Sequence, residues 1–346
     1  MLALSPALSA AVFAATSSGS GTYTGPALPD LPLHSTAIYA VSGGYTYQAA
    51  GAAMRDQGYG TITITWSGTL VKAYLIWAVM DDCSNPEVAG PTCTAPANSV
   101  DDAGTINGVA ITGTFQGTDY SPCWGPSNIF VYAADVTSDV SNGANSLTKF
   151  PSGVTDGSNP WSSANLAAQP TPMLDGASLV VVSTGATLNQ IYVYTGTYTE
   201  PAEGNPISST FNHGAADATT ATTTFIVADG QLSGNFAVWN GGTIDSNAFP
   251  GSDPKATATA WSEGNLWDTK TYSVPETLGA TSDTVAIGSE SGDCLTQAGQ
   301  VIMIPSTAPI LGTPQFGMSG VLVGAVMAVA LLALRPALLR KFSPKV

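Results

Sequence analysis

"VKAYLIWAVMDDC", residues 71–83, has no polar face in its middle. Ala73, Leu75 and Trp77 fall on one side of an extended chain, and Tyr74, Ile76 and Ala78 on the other, because successive side chains of a strand alternate. A strand apolar on both sides must be covered on both sides. The stretch therefore predicts a central strand with packed layers above and below, ending in two aspartates and a cysteine.

Similar short apolar runs recur outward from it, among them 60–66, 108–115, 128–136, 176–184, 189–199, 222–230, 234–244, 282–289 and 299–306, with turn residues between them. No amphipathic helical stretch of a dozen residues precedes residue 316. Charged residues make up only 10% of the 346, whereas Gly (37) and Pro (23) are plentiful. That composition suits strands and turns, and 44% hydrophobic residues in compact runs argue against disorder. The expected class is all-β.

The body reads as two halves in the same order. "INGVAI" (106–111) is echoed by "WNGGTI" (239–244), and "DVTSDVSNGANSLTKF" (135–150) by "SVPETLGATSDTVAI" (273–287). Each half then closes on an apolar run, "GASLVVV" or "AGQVIMI". This predicts two tandem antiparallel β-sandwiches of jelly-roll-like type, 35–185 and 186–306.

The ends point to a membrane. Phe316 to Leu334 is nineteen residues without a charge, followed by Arg335, Arg340, Lys341 and Lys345 in a tail at 335–346. That length spans a bilayer as one transmembrane helix, and basic residues stay on the cytoplasmic side. Residues 1–14 resemble a signal-peptide core, although no basic residue precedes it. Ser/Gly/Pro-rich 15–34 and 307–315 read as linkers. The expectation is a single-pass cell-surface protein with its body outside and its tail in the cytoplasm.

Twenty-four acidic residues precede Thr313 against five basic ones, a net of −19 for the body. Such a charge argues against nucleic acid as a partner. An even set of four cysteines, Cys83, Cys93, Cys123 and Cys294, predicts two disulfides in an exported chain. Three pairings exist; closing the local Cys83–Cys93 loop is the simplest, and it leaves Cys123 with Cys294. A zinc site fits less well, because no C-x-x-C spacing occurs and only His34 and His213 could assist.

The stretches "GGYTYQAAGAAMRDQGYGTITITWSGTLVKAYLIWAV", "NGVAITG", "FVYAADVTSDVSNGANSLT" and "GASLVVVSTG" resemble a secreted β-sandwich domain of unknown function. That domain is found in bacterial and archaeal cell-surface, adhesin-like proteins, and the likeness spans nearly all of 43–305. It implies a fold and an extracellular setting, and it brings no catalytic residues with it. The chain departs from the pattern at Ala177, where the family often has Trp, and in the cysteine-bearing insert 83–123.

Site residues are few. Asp81 and Asp82 end the opening strand, and Asp101 and Asp102 follow the cysteine loop, so the four could gather as oxygen ligands for a structural Ca²⁺. No other cofactor is expected, and no catalytic residue. Ser178 in "GASLV" lacks the G-x-S-x-G of a nucleophile elbow, and no cysteine has a histidine near it in sequence. Asp135 in "ADVT" reads as a turn acceptor for Thr137. Of the tryptophans, Trp124 and Trp161 are the best placed for exposure, and the rest read as core. The leading function is a membrane-anchored structural or adhesive surface protein without catalysis, its partners being glycans or other surface proteins. The alternatives are a secreted hydrolase or amidase acting on glycans or glycoproteins in an interdomain groove, and a calcium-dependent lectin-like module.

Overall fold

The computed structural model describes residues 33–81, 100–121, 127–162, 171–200, 206–232, 234–257, 261–290 and 293–307. Leader 1–14, span 316–334, tail 335–346, Asp82, Cys83, Cys93 and Cys123 lie outside the described residues. Among those described, no helix is long and apolar enough to cross a membrane.

The protein is all-β, built of antiparallel sheets. β3 (Leu70–Asp81), which contains residues 71–81 of the apolar stretch, is an inner strand of the large sheet. β3 pairs on one side with β7 (Ser127–Asp135) and on the other with β9 (Met173–Thr199), so both its edges are satisfied. Its two faces separate as alternation requires. Ala73, Leu75, Trp77 and Val79 enter one core, and Ile76, Ala78 and Met80 enter another. Trp77 is wholly buried, stacks on Tyr132 at 5.8 Å, meets Phe150 edge-on at 5.4 Å and donates its indole N–H to the Asp101 carbonyl at 3.0 Å.

The eight-stranded sheet runs β14 (Trp267–Pro275), β11 (Thr220–Ala228), β16 (Thr296–Pro305), β9, β3, β7, β6 (Thr114–Ser121), with β1 (Tyr39–Ala53) added along β9. Two four-stranded sheets accompany it. One has the order β2 (Gly60–Ile64), β8 (Gly143–Thr148), β4 (Ala103–Ile106), β5 (Val109–Thr112). The other has β10 (Ile207–Asn212), β15 (Ser282–Ser289), β12 (Asn235–Trp239), β13 (Gly242–Asp245).

The orders match strand for strand, and so does the large sheet. β7-β3-β9-β1 on one side corresponds to β14-β11-β16-β9 on the other. β9 contributes residues 173–184 to the first set of strands and 188–199 to the second. Tyr45 pairs Thr184 and Gly44 pairs Leu188, so residues 185–187 form a bulge where the strand bends but does not stop. One core lies between β3, β7 and the first small sheet, and another between β11, β16 and the second. A third joins Ile76, Ala78, Met80 and Val131 of the first half to Ile226, Ala228 and Val301 of the second. The large sheet is thus folded back on itself.

The Asn-Gly turns repeat as well. Asn107 and Gly108 join β4 to β5 at φ +52° and +82°; Asn240 and Gly241 join β12 to β13 at +48° and +81°. Both residues of such a two-residue hairpin need positive φ, which Asn and Gly tolerate. Asp135 accepts the Thr137 amide at 3.1 Å, as its turn motif predicts.

Between the halves lies a buried cation. Arg55 donates from Nε to Asp175 at 3.0 Å, and its terminal nitrogen reaches Asp229 at 3.2 Å as well as Asp175. Asp175 belongs to β9 and Asp229 follows β11, so the guanidinium ties the ends of these two strands together. Burial still pushes Asp175 up to about 6 against the opposing pull of Arg55.

Candidate functional site

One group of chemically capable side chains converges at the rim of the second small sheet. His213 follows the last residue of β10, Glu276 follows β14, and Asp283 is the second residue of β15. Their backbones are fixed by the ladder and its extensions. His213 donates its amide to Thr281 at 2.9 Å, and Glu276 donates its own to Thr219 at 2.9 Å. One ligand atom from each of the three side chains lies within 4.8 Å of the others. His213 Nε2 stands 3.0 Å from Asp283 Oδ2, and neither side chain has exposed surface. Glu276 is 7% exposed.

Each side chain is held from behind. The His213 Nδ1 lies 2.7 Å from the Gly214 carbonyl, so it carries the proton and donates. Asp283 Oδ1 accepts from Asn240 Nδ2 at 2.8 Å, and Glu276 accepts the Thr277 amide at Oε1, 2.7 Å. The atoms on the other side, His213 Nε2, Glu276 Oε2 and Asp283 Oδ2, are buried and face one another, with no group outside the trio bonded to them. Burial pushes Glu276 up to about 7, with the Asp283 carboxylate adding to the shift. Burial works against a charged His213, but the Asp283 carboxylate more than offsets it and raises the imidazole. Such a set can share protons or hold a cation.

Of the residues read as calcium ligands, Asp82 lies outside the described residues. Asp81 ends β3, fully buried and opposite Asn128; Asp101 is buried and Asp102 half-buried in a short 3-10 turn, Val100–Asp102. Their backbones serve the core: the Asp101 carbonyl accepts from Trp77, and the Asp102 carbonyl accepts the Gly113 amide at 2.7 Å. Asp119 accepts the Thr199 amide at 2.7 Å, fastening β6 to the end of β9. Among the described residues, the set at metal-ligand spacing is His213, Glu276 and Asp283. In the sequence His213 stands out only as a possible helper to a cysteine zinc site. The usable signal was one histidine and one glutamate at positions whose counterparts in the other half are apolar.

Cys294, buried, does not carry a free thiol, and its amide donates to Asp293 at 2.9 Å. Trp77, Trp239 and Trp267 are core, Trp161 is half-buried, and Trp124 lies outside the described residues. Other buried carboxylates are built into loops. Asp268 accepts the Gly251 and Ser252 amides at 2.6 and 2.8 Å. Glu200 accepts those of Ser289 and Leu295 at 3.0 and 3.2 Å.

No family model matches the chain, and no curated protein does. Solved structures resemble it only loosely. BuGH86 in complex with neoagarooctaose has 11% identity and a TM-score of 0.22, over 82% of this chain and 35% of that one. BpGH86A, a beta-porphyranase of glycoside hydrolase family 86 from the human gut bacterium Bacteroides plebeius, has 10% identity and a TM-score of 0.21, over 81% of this chain and 37% of that one. The insecticidal delta-endotoxin Cry8Ea1 from Bacillus thuringiensis has 12% identity and a TM-score of 0.20, over 79% of this chain and 55% of that one. The chain spans about a third of the length of the first two.

Proposed function

We propose that the protein is a membrane-anchored, extracellular structural or adhesive surface protein, and not an enzyme. Its body is read as two tandem jelly-roll-like sandwiches, 35–185 and 186–306, held outside by the apolar span at 316–334. The observation that carries the reading is β9, a strand of 27 residues that belongs to both halves. A shared strand, a filled core between the halves and the Arg55 bridge make a stiff body, which suits a protein that presents or bears load. Glycans or other surface proteins are the partners such a body would meet, and its net charge of −19 disfavours nucleic acid.

The test is to express the whole chain in cells, fractionate them and expose intact cells to protease. The reading expects the chain in the membrane fraction, its body cleaved from outside, and release into the medium when 316–346 is deleted. A chain found in the cytosol and protected from protease would end it. A screen of the displayed chain against glycans and cells should find binding without turnover. Release of sugar or amine would put the hydrolase in its place.

A further inference from the structure

We propose that His213, Glu276 and Asp283 form a binding site for one divalent transition-metal ion of the Zn²⁺ type. In the first half, Ile64 pairs with Gly143, two residues before Asn145; in the second, His213 bonds to Thr281, two residues before Asp283. Val136 follows β7 and donates its amide to Ala73; Glu276 follows β14 and donates its amide to Thr219. Next to these, Tyr74 pairs Asp135 as Thr220 pairs Pro275. His213, Glu276 and Asp283 therefore stand where the first half has Ile64, Val136 and Asn145.

Ile64 and Val136 are ordinary core residues there, 4% and 0% exposed. The same backbone thus closes with apolar groups at these positions. Putting a histidine and a glutamate in their place, beside an aspartate, costs desolvation that packing alone would not require. All three also turn an atom toward the same point from buried side chains: His213 Nε2 and Asp283 Oδ2 stand 3.0 Å apart, and Glu276 Oε2 has no partner outside the trio. A bound cation would satisfy each of them at once.

The chemistry selects the ion. One imidazole nitrogen and two carboxylate oxygens suit Zn²⁺ and its neighbours, whereas Ca²⁺ takes six to eight oxygens. Ligands about 2.0–2.2 Å from tetrahedral zinc lie roughly 3.3 Å from one another. The 3.0 Å between His213 and Asp283, and the 4.8 Å limit for the trio, need only small side-chain shifts. The outer contacts have the form such sites use. The Nδ1–H to the Gly214 carbonyl leaves Nε2 as the lone pair, and Asn240 and Thr277 hold the two carboxylates. The ion would join the ends of β10 and β14 to β15, leaving one position for water or a ligand.

The experiment uses the full-length chain, untagged, purified in detergent and stripped with chelator. Zn²⁺ is titrated calorimetrically, and thermal midpoints are read with Zn²⁺, with Ca²⁺ and with chelator. One equivalent of Zn²⁺ should bind and raise the midpoint, as a ligand of the folded state does, while Ca²⁺ leaves it unchanged. Asp283→Asn, which installs the residue the first half already carries there, should fold and weaken Zn²⁺ by at least about tenfold. A combined His213→Ile, Glu276→Val, Asp283→Asn variant should melt at or above the stripped parent and ignore Zn²⁺. No uptake by the parent, an unchanged midpoint, or binding that survives Asp283→Asn would overturn the assignment.

Discussion

Asn145 and Asp283 hold the same station in the two small sheets, each accepting at Oδ1 the side-chain amide of an Asn-Gly turn. Asn107 donates to Asn145 at 2.8 Å and Asn240 to Asp283 at 2.8 Å. The turn asparagines reach back identically too, accepting the amides of Ser146 at 3.0 Å and Thr284 at 2.8 Å. Each hairpin tip is thereby pinned to the strand beneath it.

Removing either pin should have a similar and separable effect. Asn107→Ala and Asn240→Ala each lose these side-chain bonds and place a less tolerant residue at positive φ. Each should cost about 1–3 kcal/mol. The sites share no partner, so the double variant should lose the sum to within about 0.5 kcal/mol. Urea unfolding at constant m-value measures this. A neutral single variant would show that the pin does not hold the turn.

Trp77 tests the centre of the fold. Its ring is fully buried against Tyr132 and Phe150. Trp77→Ala should destabilise by about 3–5 kcal/mol. Trp77→Phe should cost less, because it keeps one aromatic ring while losing the rest of the indole's packing and the bond to Asp101. A loss below about 1 kcal/mol on Trp77→Ala would contradict a core position.

The buried carboxylates predict an acid-favoured body. Burial, against the hydrogen bonds that favour ionisation, pushes Glu200 from 4.5 to about 8. It likewise pushes Asp253 and Asp293 from 3.8 to about 7, and Asp268 to about 6. The folded state then holds protons that the unfolded chain releases near pH 4. Their contribution is complete below about pH 4 and is lost as pH rises through 6–8. Thermal midpoints measured in chelator at fixed ionic strength should fall from pH 5 to about pH 8 and level off above it. A midpoint that climbs over that range would reverse the assignment.

The legible part of the fold was whatever a local pattern must express. A run apolar on both faces in 71–79 forced a strand covered on both sides, and Asn-Gly at 107–108 and 240–241 forced tight turns. The continuity of β9 was hidden because "STGATLN", at its bend, reads locally as a turn. Only the partnership with β1, set by residues more than a hundred positions away, carries the strand through. The trio at His213 was hidden for the same reason. Histidine and acids 63 and 70 positions on carry no joint periodicity, and the ladder between β10 and β15 alone brings them together. Asp81 ends its strand as the local pattern has it, but its complete burial opposite Asn128 depends on the pairing with β7, which no local pattern expresses.

β9 also decides how the body would answer a pull on its ends. The described chain enters through β1, whose Tyr39 pairs Val193, and leaves through β16, whose Pro305 pairs Asn189. Both strands run antiparallel to β9 and flank it on opposite sides, so they are parallel to each other. Tension applied at residues 39 and 305 would drag them in opposite directions along the same central strand. The two ladders would be loaded in shear, with many hydrogen bonds strained together, and not peeled open one bond at a time. A tether drawn tight at both ends would meet the molecule along its most resistant axis.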